Sequence, residues 1–264
     1  MKPQQKSRTD VTSVVSLPLV LAVLLATQWL EGGRIRTLLQ PAAALIVFGG
    51  TFAALLLSFP PATLRRALTA VRLAFSSAPP TAPALISRFG DYAARTRRHG
   101  ILTLESEIAG EPDPFLARAL ELAVDGVPQK NLRHALEIDS RSREDADLES
   151  ADVLESAAGY TPTLGILGAV LGLIHVMEHM AAPAAIGSGI AVAFVATVYG
   201  VGAANLVLLP LATRLRGRAY DAAVARELII EGVLTLQKGL NPRIVVAHLD
   251  GFVRAGEQRA RRAA

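Results

Sequence analysis

Cysteine does not occur in this 264-residue chain, which excludes disulfides, thiolate nucleophiles and cysteine-ligated metal sites. Aromatic residues are scarce at 5%, with a single tryptophan; alanine, leucine and valine carry the hydrophobicity, which suits helices packed in lipid. Charge of either sign is missing from long stretches. The twenty residues 11–30 carry none, and neither do the thirty-four residues 180–213. Strand-like alternation is lacking, and no P-loop is present. Gly187-Ser188-Gly189 opens like a dinucleotide phosphate loop, but Val192 stands where the third glycine belongs and no strand precedes it. No nucleophile–base pair appears, so the reading is not an enzyme, with no catalytic residue, no cofactor and no nucleic-acid partner. His175 and His179 lie one turn apart with no third ligand nearby, and read as satisfied or interfacial histidines rather than a metal site.

What is present is an all-α integral membrane protein with four transmembrane helices, at 11–30, 38–59, 158–177 and 186–211. About 20 apolar residues suffice to cross a hydrocarbon core of roughly 30 Å. The first span follows Lys2, Lys6 and Arg8, a start that signal peptides share. No small-residue cleavage site ends it, and Thr27-Gln28-Trp29 reads as an interfacial anchor, so it is taken as a retained span. Lysine and arginine set the orientation. Of 27, all but Arg34 and Arg36 fall on one side, which makes both termini cytoplasmic. The domains are then a cytoplasmic N-terminus (1–10), periplasmic loops (31–37 and 178–185), a helical cytoplasmic domain inserted between spans two and three (60–157), and cytoplasmic C-terminal helices (212–264).

In the inserted domain, 64–75 reads as an amphipathic helix and 78–83 as a proline linker. Apolar residues at three- and four-residue spacing predict helices over 85–99, 102–109, 114–125 and 128–160, punctuated by Gly100, Gly110, Pro112 and Gly126. Dense charge from Asp139 to Glu155 reads as a solvated helix face. After span four come a basic collar (Arg214, Arg216, Arg218), a helix over 220–236, a turn at 239–242 and a last helix over 244–255.

Inside the spans, Gly168 and Gly172 form a GxxxG pair, and Gly165 and Ala169 form a small pair one register over. Gly200 and Gly202 read as a break in span four. No Asp or Glu lies within any span; Glu31 and Glu178 sit at outer ends. A protein that moves an ion through lipid needs a titrating carboxylate there, so a partner would have to supply it. The spans do offer hydroxyls at Thr163 (beside Pro162), Thr197 and Tyr199. On residue type alone such threonines are read as capping carbonyls of their own helix.

Residues 160–174 (YTPTLGILGAVLGLI) and 191–200 (AVAFVATVYG) resemble spans three and four of the MotA family of flagellar stator A subunits. The similarity extends through 209–215, 231–239 and 241–243, and upstream through 40–46, 49–51 and 97–105 (RRHGILTLE). The ordered set covers almost the whole chain. It implies a ring of such subunits, understood as pentameric, around a MotB-type single-span partner whose transmembrane aspartate carries the ion. Ion flow would ratchet the ring, and the cytoplasmic domain would push on the rotor protein FliG.

By the same resemblance, Pro162 lies beside the partner aspartate, with Thr163 near it. Thr197 lines the ion path, which reverses the reading from residue type alone. Pro210 closes span four at its cytoplasmic end, and Arg97 and Glu105 meet the rotor. Ala169 stands where sodium-driven relatives carry threonine, which points to protons, although Asn205 and residues 183–187 resemble the sodium branch. Alternatives are a TolQ- or ExbB-like channel subunit, which would have three spans and no counterpart of 97–105, or a non-conducting scaffold.

Overall fold

A computed structural model of the chain describes residues 22–23, 26, 30, 32, 35–76, 81–179 and 183–263, and the elements they form are helices. The expected first span lies almost entirely outside the described residues, as do 1–10, much of 31–37 and the centre of 178–185. Helix boundaries follow proline and glycine chemistry. Helix α1, Pro41–Ser58, begins on a proline whose missing N–H costs nothing in a first turn. It contains a π-helical turn at Leu45–Gly49. It ends because Phe59 precedes Pro60 and is pushed into an extended conformation (φ −132°, ψ 143°). Helix α2, Pro61–Ser76, restarts at once on the next proline.

Helix α3, Ala82–His99, takes in Ala82 and Pro83, which the sequence reading placed in the linker. Pro83 is compatible with a first helical turn, and residues 78–80 of the expected linker lie outside the described residues. At its other end Arg97, Arg98 and His99 offset the negative end of the helix dipole, and Gly100 turns the chain at φ 82°. A 3-10 turn, Ile101–Leu104, and one α-turn, Glu105–Ile108, follow. Helix α4, Pro114–Val124, is capped by the Asp113 carboxylate, which accepts from the Phe115 N–H at 2.9 Å.

Helix α5, Gln129–Glu178, is a single 50-residue helix, about 75 Å long at 1.5 Å per residue. The helix expected over 128–160 and span three are thus continuous, with no helix break between them. Helix α6, Pro183–Gly202, leads through a π-helical stretch, Ala203–Leu208, into α7, Leu209–Gln237. Gly200 and Gly202 therefore do not break span four. Gly239 (φ 63°) and the Asn241 side chain, which accepts from the Arg243 N–H at 3.0 Å, form the expected turn into α8, Pro242–Ala263.

The chain divides into two units, 1–78 with 147–217 and 79–146 with 218–264, and α5 and α7 contribute to both. In the first unit α1 and the apolar parts of α5 and α6–α7 are long and apolar enough to cross a membrane. They leave Leu57 91%, Phe194 72% and Met177 70% exposed, which water would penalise and lipid does not. The second unit has a conventional core. Phe89 and Tyr92 of α3, Phe115 and Leu120 of α4, Leu132 and Leu136 of α5, Leu228 and Ile229 of α7 and Leu249 of α8 are all buried together.

Gly232 of α7 carries the Phe89 ring directly on its backbone. A Cβ there would stand 2.6 Å from Phe89 Cε1. Gly232→Ala should therefore destabilise this unit by about 1–3 kcal/mol, the usual cost of overpacking a rigid core. Gly217→Ala, where a Cβ meets open space, should be neutral or stabilising. Thermal unfolding of the detergent-solubilised protein checks the pair.

Candidate functional site

In the first unit α5 and α6 meet backbone to backbone. A Cβ on Gly200 would lie 2.6 Å from the Thr161 carbonyl oxygen and 3.2 Å from Pro162 Cα. One on Gly165 would lie 2.9 Å from the Ala196 carbonyl and 3.5 Å from Thr197 Cα. Further along, Gly168 abuts Ala196 Cβ, and Gly172 abuts Ala193 N and the Gly189 carbonyl. Small residues on both helices thus form one seam, and it extends past the GxxxG pair to include Gly189 and Gly200. The structure brings Pro162, Thr197 and Gly200 together here, with Ala169 half-buried on the same stretch of α5.

Pro162 sits inside α5 without ending it. Lacking an N–H, it leaves the Ala158 carbonyl without its α-helical donor. Thr161, 1% exposed, shares its hydroxyl proton between the Ala157 carbonyl at 3.0 Å and the Ala158 carbonyl at 3.4 Å. This residue was missed in the sequence, and its one signal is a hydroxyl immediately before a proline. Thr163 donates to the Tyr160 carbonyl at 2.7 Å and Thr197 to the Ala193 carbonyl at 3.3 Å. Both exposed threonines thus satisfy their own helices in the single chain, as residue type alone indicated.

Pro210, the second residue of α7, follows directly on the π-helical stretch. A proline here would clash with the carbonyl four residues back in a regular α-helix, and the wider turn relieves that. Asn205 caps the Val201 carbonyl in the same stretch at 3.0 Å.

Helix α1 completes the cluster. Gly50 packs under Leu164, Ile46 reaches Gly168, and the Ser58 and Tyr160 hydroxyls are 2.9 Å apart. Tyr199 donates to the Leu38 carbonyl and accepts from the Gln40 N–H at 3.4 Å, tying α6 to the start of α1.

The acidic run on α5 is more than a solvated face. Glu149 takes Arg66 at 2.8 Å and Thr63 at 3.2 Å, while Arg216 bridges Asp152 at 2.9 Å and Glu155. The Asp152 hydrogen bond, with the Glu155 charge behind it, holds the Arg216 guanidinium above its ordinary pKa. Exposed pairs like these contribute little individually, but they fix which face of α5 meets α2 and α7.

Arg97 and Glu105 belong to the second unit. Both are exposed, but Gly100 ends the helix between them, so they do not share one continuous helix. Their placement depends on buried neighbours. Leu104 is fully buried, Arg95 pairs with Glu107 at 2.8 Å, and Arg88 pairs with Glu111, whose side chain is 1% exposed. Burial, the largest influence, pulls the Arg88 pKa down, but the Glu111 hydrogen bond and charge together with Tyr92 carry it above its ordinary value.

At the end of α5, His175, Glu178 and His179 each place a ligand atom within 4.8 Å of the others. The expectation of no third ligand is corrected: Glu178, counted only as a span-end carboxylate, lies on the same helical face as both histidines.

Apolar helices joined by a glycine seam in one unit, together with a helical unit that has a conventional core, define a polytopic membrane subunit. The profile of the MotA/TolQ/ExbB proton channel family matches residues 107–227. Motility protein A of Bacillus subtilis (strain 168) is 34% identical over 237 residues, 89% of this chain and 88% of that protein. Chemotaxis protein PomA of Vibrio alginolyticus is 29% identical over 86% of this chain and 89% of that protein. The solved structure of C. jejuni MotAB matches with a TM-score of 0.84 at 27% identity, over 92% of this chain and 95% of that one. The flagellar MotAB stator complex from Bacillus subtilis matches at 0.79 and 33% identity, over 89% and 92%. The chain belongs to the MotA/TolQ/ExbB proton channel family.

The seam generates its own test. Gly200→Val should force α5 and α6 apart and abolish swimming in a complemented deletion strain. Gly202→Ala, where a Cβ would meet nothing within 4 Å, should leave swimming intact.

Proposed function

We propose that this chain is the A-type stator subunit of a bacterial flagellar motor and conducts an ion together with a MotB-type single-span partner. The observation that carries the reading is a packed set of apolar helices, with a proline and hydroxyls at its seam, from which every carboxylate is missing. A conducting path through lipid needs a group that can be charged and neutralised in turn. The partner's aspartate supplies that group, and its charge is tolerated only beside polar atoms.

In this reading four spans, the first at 11–30, put both termini in the cytoplasm, and several copies (a pentameric ring) surround the partner within the inner-membrane lipid. Pro162 lies beside the aspartate, and its position leaves a carbonyl whose hydrogen bonding depends on Thr161 alone. Thr163 and Thr197 line the path and can turn from their own carbonyls towards the ion. Ala169 offers no oxygen where a sodium ion would need one, so the coupling ion is the proton. Pro210, with the π-helical stretch before it, relays strain to α7 at the cytoplasmic end. Arg97 and Glu105 steer contact with charged residues of FliG, a role in which exposed charges set orientation and rate more than strength.

Pro162→Leu should abolish swimming at unchanged membrane levels of the protein; undiminished swimming would refute the role. Swimming should persist in sodium-free medium and stop when a protonophore collapses the proton gradient, whereas a sodium requirement would overturn the reading of Ala169. Reversing Arg97 and Glu105 together should reduce torque while leaving conductance through an open form of the complex unchanged. Loss of conductance instead would assign the two residues to assembly.

A further inference from the structure

Residues 175–179 read His-Val-Met-Glu-His. At 100° per residue, positions i, i+3 and i+4 fall within an arc of about 100°, so His175, Glu178 and His179 share one face of α5. All three are exposed, and their ligand atoms lie within 4.8 Å of one another. Ligands on a tetrahedral ion with bonds of about 2.0–2.1 Å stand roughly 3.3 Å apart, a gap that rotamer adjustment of exposed side chains closes.

The second observation is the orientation of His179. Its Nδ1 lies 2.9 Å from the His175 carbonyl oxygen, which can only accept, so Nδ1 is the donor and Nε2 is the nitrogen left to face a ligand. A backbone carbonyl holding the far nitrogen of an imidazole is the usual support of a metal-binding histidine. The two rings are also close, with centroids 4.3 Å apart.

The electrostatics favour a cation. The last turn of α5 exposes carbonyls without helical donors and the negative end of the dipole. No lysine or arginine occurs between Arg143 and Arg214 to oppose a cation along the chain.

We propose that His175, Glu178 and His179 form a binding site for a divalent transition-metal ion of the Zn2+ class, with water completing the coordination. Two imidazoles and one carboxylate favour zinc, nickel, copper or cobalt over magnesium and calcium, which take oxygen ligands. The site does not depend on the stator reading, since it uses only the end of one helix.

The test is a ZnCl2 titration of the purified full-length chain, carrying no polyhistidine tag, against a chromogenic chelator. The expected result is stoichiometric binding with a micromolar dissociation constant, weakened roughly tenfold to a hundredfold or more by His175→Ala or His179→Ala, and less by Glu178→Gln. Replacing the other histidines, His99, His134 and His248, with alanine should leave it unchanged. Excess Mg2+ should not displace the metal. Absent binding at tens of micromolar Zn2+, equal binding by the His175→Ala/His179→Ala variant, or displacement by Mg2+ would each overturn the proposal.

Discussion

The close approach of α5 and α6 is the constraint on which the rest of the membrane unit depends. In lipid no hydrophobic effect drives apolar helices together, so association rests on van der Waals contact and on how near the backbones can come. Gly165, Gly168, Gly172, Gly189 and Gly200 remove the side chains that would hold them apart, leaving Gly200 against the Thr161 carbonyl and the Pro162 ring. In the same seam Thr197 faces Gly165, one turn from Pro162 along α5. At Gly168 the same cleared space also admits Ile46 of α1, while Gly50 of α1 packs on Leu164.

Two prolines interrupt this otherwise regular packing, and each is accommodated differently. At Pro162 the helix keeps its path, and the freed carbonyl is met by the hydroxyl of Thr161. At Pro210 the backbone itself changes, widening into a π-helical stretch over Ala203–Leu208. The first device leaves one carbonyl held by a single side chain that can rotate. The second stores an extra residue in the helix just where α6 gives way to α7. Both are local departures from α-helical bonding, and both lie towards the end of the packed pair where Pro162 meets Gly200, away from the Gly172–Gly189 contact.

Much of this was legible in the sequence because it is local. Charge-free runs, Gly100 at a helix end and the turn at 239–242 each reflect chemistry confined to a few neighbouring residues. What was not legible depends on partners far along the chain or on packing. The continuity of α5 through Pro162 could not be read from local residues, because it is met by the Thr161 hydroxyl and by packing against α6. Gly200 read as a break because flexibility is the default meaning of glycine, whereas here it is a contact. The carboxylates of α5 read as solvated because Arg66 and Arg216 lie 83 and 64 residues away from Glu149 and Asp152. Glu178 was overlooked as a ligand because a span-end carboxylate already had an explanation.

The missing carboxylate links the two halves of the molecule's logic. A subunit that buried its own aspartate in the seam would have to desolvate it against glycine and alanine, at several kcal/mol even after relaxation. It would also lose the backbone contact that the small residues permit. Leaving the seam free of charge lets α5 and α6 pack tightly, and a conducting path along it, as proposed, then takes its titrating group from another chain. Charge is instead concentrated where water can solvate it, in the pairs around Glu149 and Arg216 and on the exposed Arg97 and Glu105. A rigid, neutral membrane seam and a charged, solvated periphery are therefore one arrangement: each region keeps the groups that its solvent stabilises.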